Sequence, residues 1–103
     1  MAGARVLLVQ MEIEIATVQE ALAQGRRNRL TTILNPAPAR PLSSELLRLV
    51  DVLTPNENEV RTLAAQSSLE EAAQILVKRG AGTVIVTCGA DGALRVGRQG
   101  TRR

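Results

Sequence analysis

The sequence predicts an α/β domain of three layers, α/β/α, in which helices cover a mostly parallel sheet and an antiparallel hairpin closes the C-terminal end. Three observations lead there. Short apolar or β-branched runs at residues 6–11, 30–34, 51–54 and 83–88 alternate with segments of helical spacing, which is the order of βαβ crossovers. The first of these runs is almost continuously apolar, as suits a strand buried on both faces of a parallel sheet. The last is followed by Gly89-Ala90-Asp91-Gly92 and then by residues 93–96, where apolar and polar residues begin to alternate. Turn chemistry between two such runs reads as a hairpin.

Each element has its own local reason. In residues 6–11 only Gln10 interrupts Val6, Leu7, Leu8, Val9 and Met11. Ile15, Val18 and Leu22 then follow i, i+3, i+7 with Gln19, Glu20 and Gln24 on the other face, predicting a helix that ends near residues 25–28. The second strand is rich in Thr and Ile and stops at Asn35-Pro36-Ala37-Pro38, because proline has no amide hydrogen to give a sheet. Ser43 is a helix N-cap, with Leu42 and Leu47 spaced as a hydrophobic staple over a short helix to residue 50. Residues 51–54 form a brief strand, Pro55 breaks it, and Asn56 opens another short helix to residue 63. Ser68-Leu69-Glu70-Glu71 has capping-box spacing, and Leu69, Ala72, Ala73 and Leu76 make one apolar face of a helix ending at Lys78-Arg79-Gly80.

Composition narrows the function classes. A chain of 103 residues has room for one domain. No apolar run approaches the roughly 18 residues of a membrane span, and residues 6–9 are too short for a signal-peptide core of about 7–15, so neither membrane insertion nor secretion is expected. One cysteine and no histidine leave no internal disulfide and no zinc constellation, and a cytoplasmic location is expected. The net charge of +3 is unevenly placed: four of the 13 basic residues fall within residues 95–103, which hold no acid, so the other nine face ten acids. Residues 1–96 therefore read as the domain and 97–103 as a solvated basic tail. Phe, Tyr and Trp are absent, so no base-stacking platform exists and no nucleic-acid partner is expected.

Ligands of open parallel sheets bind beyond the carboxyl ends of the strands. The residues to inspect are Glu12, Asn35, Asn56 with Glu59, and the turn at residues 87–92. Four segments containing them stand in order: Leu8-Val9-Gln10-Met11-Glu12, then Ile33-Leu34-Asn35-Pro36-Ala37-Pro38-Ala39, then Val52-Leu53-Thr54-Pro55-Asn56-Glu57-Asn58-Glu59, and last Val84-Ile85-Val86-Thr87-Cys88-Gly89-Ala90-Asp91-Gly92-Ala93-Leu94. In these segments the chain resembles a central section of the ribokinase-like carbohydrate kinase family, over nearly its whole length to about Val96.

The resemblance implies transfer of the ATP γ-phosphoryl to a primary hydroxyl of a pentose, with Mg²⁺ and a monovalent cation (K⁺) assisting. The K⁺ site is expected in no part of this chain. ATP and sugar are the expected partners. Glu12 corresponds to the family's glutamate that contacts the sugar, although a solvated carboxylate is also at home near a helix start. Asn56 and Glu59 match an Asn-x-x-Glu motif whose asparagine lies by the nucleotide phosphates. Its glutamate organises water around Mg²⁺, a cation that keeps several waters. The same spacing is a capping box with Asn at N-cap. Thr87, Cys88, Gly89, Ala90, Asp91 and Gly92 match the loop that lies along the ATP, its glycines letting backbone amides approach. A plain hairpin turn accounts for the same residues, and Cys88 reads as a small hydrophobe.

No catalytic base is assigned. The family's base is an aspartate after Gly-Ala-Gly at a helix start, whereas Asp91 precedes a strand. The Gly-Ala-Gly-Asp segment, the N-terminal sugar-binding aspartate, the glycine pair and the β lid have no counterpart here, and residues 63–68 are shorter than the family's segment. The chain thus reads as a middle piece of a sugar kinase, expected to be inactive alone and to self-associate through unpaired strand edges. The other open class is a non-catalytic α/β module that binds a partner chain or, weakly, a nucleotide.

Overall fold

The computed structural model describes residues 5–98 and 100–102. Strands β1 (Val6–Gln10), β2 (Thr31–Asn35), β3 (Val52–Leu53), β4 (Thr83–Thr87), β5 (Ala93–Gly97) and β6 (Gly100–Arg102) form one sheet in sequence order. The first four are parallel, and β5 and β6 are antiparallel additions. Helix α1 (Ile15–Arg27) joins β1 to β2, α2 (Ser44–Leu47) joins β2 to β3, and α3 (Glu57–Ala64) with α4 (Leu69–Lys78) joins β3 to β4. The α/β class, the mostly parallel order and the C-terminal hairpin are as expected.

Burial alternates along each strand and assigns the faces. Val9, Thr32, Leu34, Leu53, Val84, Val86, Leu94 and Val96 are buried together with Val18, Leu22, Leu46, Leu47, Val60 and Leu76 of the helices. On the opposite face Val6 is 53% and Leu8 60% exposed, and in register beside Leu8 come Ile33 and then Val52. Of the three layers, the described residues supply the sheet and one layer of helices. The expectation that the first strand is buried on both faces is corrected. Right-handed crossovers that step the same way along a sheet stack their helices on one side, and strand order here follows sequence order throughout.

Close packing depends on particular residues. A Cβ at Gly25 would fall 2.7 Å from Leu7 Cδ2 and 3.0 Å from Thr32 Cγ2, so the missing side chain lets α1 approach β1 and β2. Thr32 is a fully buried polar residue, and its hydroxyl donates to the Leu49 carbonyl at 2.5 Å and accepts the Asp51 amide at 3.0 Å. Asp51 Oδ2 in turn accepts the Thr32 amide at 2.8 Å. Buried polar groups persist where they are paired in this way.

Three local expectations change. Helix α2 stops at Leu47, short of residue 50, although Ser43 caps it by accepting the Leu46 amide at 3.0 Å. At Ser68 the hydroxyl accepts the Glu71 amide at 3.3 Å, but the described hydrogen bonds include no return bond from the Glu71 side chain. That capping box is half made. Residues 97–103, read as a tail, include β6, whose Thr101 and Arg102 pair with Val96 and Arg95. The free edge of a hairpin offers a ready ladder to the chain that follows it.

Candidate functional site at the carboxyl edge of the sheet

Because β1 to β4 are parallel and adjacent, their carboxyl ends share one edge. The turn with Glu12 leaves β1, the proline loop with Asn35 leaves β2, Asn56 follows β3, and residues 87–92 follow β4. The edge is the crevice in which open parallel sheets hold ligands.

The structure brings two of the sequence motifs into contact. Asn56 and Thr87 form a parallel bridge just beyond the β3 and β4 ladder, and the Thr87 amide donates to the Pro55 carbonyl at 3.0 Å. Asn56 is also the N-cap of α3. Its side-chain oxygen accepts the Glu59 amide at 2.8 Å, while Glu59 Oε1 accepts the Asn56 amide at 2.8 Å. The complete capping box fixes the Glu59 carboxylate beside Asn56 and uses one of its oxygens. Both residues stay solvent-accessible.

Beyond Thr87 the chain turns sharply. The Cys88 amide donates to the Gly92 carbonyl at 2.8 Å, and the Gly92 amide to the Gly89 carbonyl at 3.2 Å. Residues Gly89–Asp91 make one 3₁₀ turn, and Gly89 and Gly92 have φ of +59° and +89°, a region where glycine is favoured. A Cβ at either would meet nothing within 4 Å, so the turn faces open space. Cys88 is buried at 8% exposure, consistent with packing. The Asp91 side chain lies outside the described residues.

Glu12 stands apart. It is exposed in the turn after β1, and the end of β2 intervenes between it and Asn56, two interstrand spacings or about 10 Å. What organises its turn is Arg40, which the sequence reading passed over. The guanidinium of Arg40 reaches back from the proline loop and donates to the carbonyls of Met11 and Ile13, the residues on either side of Glu12. A signal was present: Arg40 is the one charged residue between Arg29 and Glu45, and it directly follows Asn35-Pro36-Ala37-Pro38-Ala39.

The carboxyl edge carries Glu12, Glu14, Glu57 and Glu59, with Glu57 paired to Arg61 at 3.8 Å. Among the described residues no three His, Cys, Asp or Glu side chains cluster as a metal cage, and no helix is long and apolar enough to cross a membrane.

Comparison with known proteins gives concordant matches. The family model of the pfkB family carbohydrate kinases matches residues 1–103. The ribokinase of Haemophilus influenzae is 40% identical over 102 residues, covering 94% of this chain and 33% of that protein. The crystal structure of a ribokinase from Thermotoga maritima superposes with a TM-score of 0.85 at 32% identity, over 96% of this chain and 34% of that one. An Arabidopsis thaliana ribokinase complexed with ribose and ATP shares the fold, with a TM-score of 0.87 at 23% identity over 95% of this chain and 34% of that one. The chain spans about a third of the length of the curated relatives it matches.

Proposed function

The chain belongs to the pfkB family of carbohydrate kinases, and from that premise we propose that it is the central segment of an ATP-dependent sugar kinase acting on a pentose hydroxyl. The observation that carries this reading is the contact between Asn56, capped against Glu59, and Thr87 at the head of the glycine turn. The contact joins two motifs that are remote in sequence on the one edge where a nucleotide would lie.

In this reading the amides of Gly89 and Ala90 line the nucleotide beside Asn56, whose amide group faces its phosphates, and Gly92 closes the turn beneath them through its own bond to the Gly89 carbonyl. Glu12 accepts from a sugar hydroxyl at the far end of the edge, held there by Arg40. Phosphoryl transfer makes a bond from the sugar oxygen to the γ-phosphorus and breaks the bond from that phosphorus to the β–γ bridging oxygen. The hydroxyl proton passes to a base that we assign to no residue of this chain. Catalysis of this kind rests on positioning and charge stabilisation. Glu59 fits an outer-sphere role toward Mg²⁺: one carboxylate oxygen is used by the Asn56 amide, and the other is available to a metal-bound water. Bound there, the ion would neutralise phosphate charge. The K⁺ used by the family is assigned no residue here. Buried Cys88, a free thiol, suits the reducing cytoplasm.

The test is a titration of the 103-residue chain with Mg-ATP, followed by amide NMR. Saturable shifts confined to Asn56 and residues 87–92, lost in Asn56→Ala, are expected. An intact spectrum unmoved by Mg-ATP would overturn the assignment of the nucleotide side. A second reading, a non-catalytic module that binds a partner chain, draws on the exposure of Val6 and Leu8.

A further inference from the structure

The opposite edge of the sheet carries chemistry that the kinase reading leaves unused. At the amino ends of β3 and β4, where β5 ends beside them, a cleft of about 400 Å³ opens between Arg26, Arg95 and Arg98. Its floor is the Thr83 and Gly97 pair of the β4–β5 ladder. From Thr83 to Thr87 is four residue steps along β4, about 13 Å at the rise of a strand, so the cleft is distinct from the carboxyl edge.

Among the described residues the one acid in its wall, Asp51, is already occupied. Its Oδ1 accepts from Arg26 at 2.5 Å, and its Oδ2 accepts the Thr32 amide at 2.8 Å and lies 3.2 Å from the Thr32 hydroxyl. Arg26 uses one nitrogen on that bond and keeps further N–H donors. Arg95 and Arg98 have no carboxylate partner among the described residues. Among the described lining residues, three guanidinium groups and one carboxylate leave two positive charges in excess. The Thr83 hydroxyl makes no hydrogen bond among the described residues, and a Cβ at Gly97 would stand 3.7 Å from it. Glycine at 97 therefore keeps that hydroxyl uncovered.

We propose that this cleft binds a phosphate-class dianion, either free phosphate or the terminal phosphate of a small metabolite. The guanidinium fork matches phosphate oxygens in shape and charge. The excess of two charges equals that of the ligand, and Thr83 adds a neutral donor. Since Arg95 and Arg98 are exposed, binding weakens as salt screens them.

The experiment is an amide NMR titration of the 103-residue chain at low ionic strength, with inorganic phosphate in one arm and AMP in the other. Saturable shifts of Gly82, Thr83, Gly97 and Arg98 are expected, and Arg95→Ala or Arg98→Ala should each weaken binding about five- to tenfold. Both arginines are exposed, so these variants keep the fold. Arg61→Ala removes the same charge far from the cleft and should leave binding unchanged. Cleft shifts with phosphate assign the free anion, and cleft shifts with AMP alone assign a phosphomonoester; each supports the site. Amides at the cleft that move with neither ligand, or equal weakening in Arg61→Ala and Arg98→Ala, would overturn it. The outcome is independent of the nucleotide assignment, whose shifts fall at residues 87–92.

Discussion

Asn56 lies beside Thr87 across the carboxyl ends of β3 and β4, with the Thr87 amide held by the Pro55 carbonyl at 3.0 Å. The two residues open the two motifs by which the chain would hold a nucleotide, so whatever fixes one bears on the other. Asn56 is fixed by its reciprocal bonds with Glu59. The cap and the proposed binding role are therefore parts of one arrangement, and substitutions can separate them.

Asn56→Ala removes the side-chain acceptor that caps α3 and should cost about 1 kcal/mol of stability. Asn56→Asp keeps an acceptor at N-cap, where a negative charge is also favoured by the helix, and should retain the wild-type stability. Facing phosphates, however, that same charge should abolish Mg-ATP shifts at residues 87–92. Urea unfolding and nucleotide titration of both variants measure the two effects. Equal nucleotide binding by wild type and Asn56→Asp would place the phosphates elsewhere.

Arg40→Ala should loosen the turn that carries Glu12. Loss of a charged donor leaves the Met11 and Ile13 carbonyls unpaired, and Met11 is only 1% exposed, so a cost of about 1–3 kcal/mol is expected. Amide exchange of residues 12–14 should accelerate more than that of β4. Arg40→Lys keeps the charge, but both bonds come from the one terminal nitrogen Nη2 at the tip of the longer arginine, so the shorter lysine should recover only part of the protection.

Thr32→Val is nearly isosteric yet should destabilise by about 1–3 kcal/mol. The hydroxyl it removes serves the Leu49 carbonyl and the Asp51 amide in a fully buried position. Thermal unfolding compared with Thr31→Val, an exposed neighbour on the other face, isolates the hydroxyl. Equal melting temperatures would show that solvent reaches Thr32.

Self-association should run through β1, which lies at the edge of the sheet and exposes Val6 and Leu8. Unpaired strand edges and apolar faces invite pairing. Leu8→Lys should shift sedimentation toward monomer with little change in melting temperature, since the side chain is already 60% exposed. A wild-type chain that sediments as a monomer at all concentrations would refute this.

The chain alone should not phosphorylate ribose above a blank in a coupled ADP-release assay. A positioned general base contributes about 10² to 10⁴ in rate, and reactant positioning about 7–11 kcal/mol. Sugar-dependent turnover abolished by Asn56→Ala and Glu59→Ala would reopen Asp91 as the base.

How far the sequence could be read depended on the range of each interaction. Alternation of strands and helices, the turn at Gly89 and Gly92, and the caps at Ser43 and Asn56 involve residues within a few positions of one another. Spacing and residue type are enough to find such features. Spacing alone did not rank the two capping boxes: Asn56 makes both bonds, while Ser68 makes one. Arg40 was missed because its partners, Met11 and Ile13, become neighbours only when β1 and β2 pair. Likewise Arg26, Asp51 and the Arg95–Arg98 stretch come from three separate segments and look unrelated until the sheet assembles their ends.

By itself the sequence determined the αβ alternation, the hairpin and the family, because each is written in local periodicity and short motifs. Only the tertiary structure decided which face of the sheet the helices cover, that Asn56 and Thr87 touch while Glu12 stands apart, and that the arginines gather at the opposite edge. These depend on strand order and register, which are set by the packing of the whole core around Thr32, Leu34, Leu53 and Val84, and no single segment carries that information.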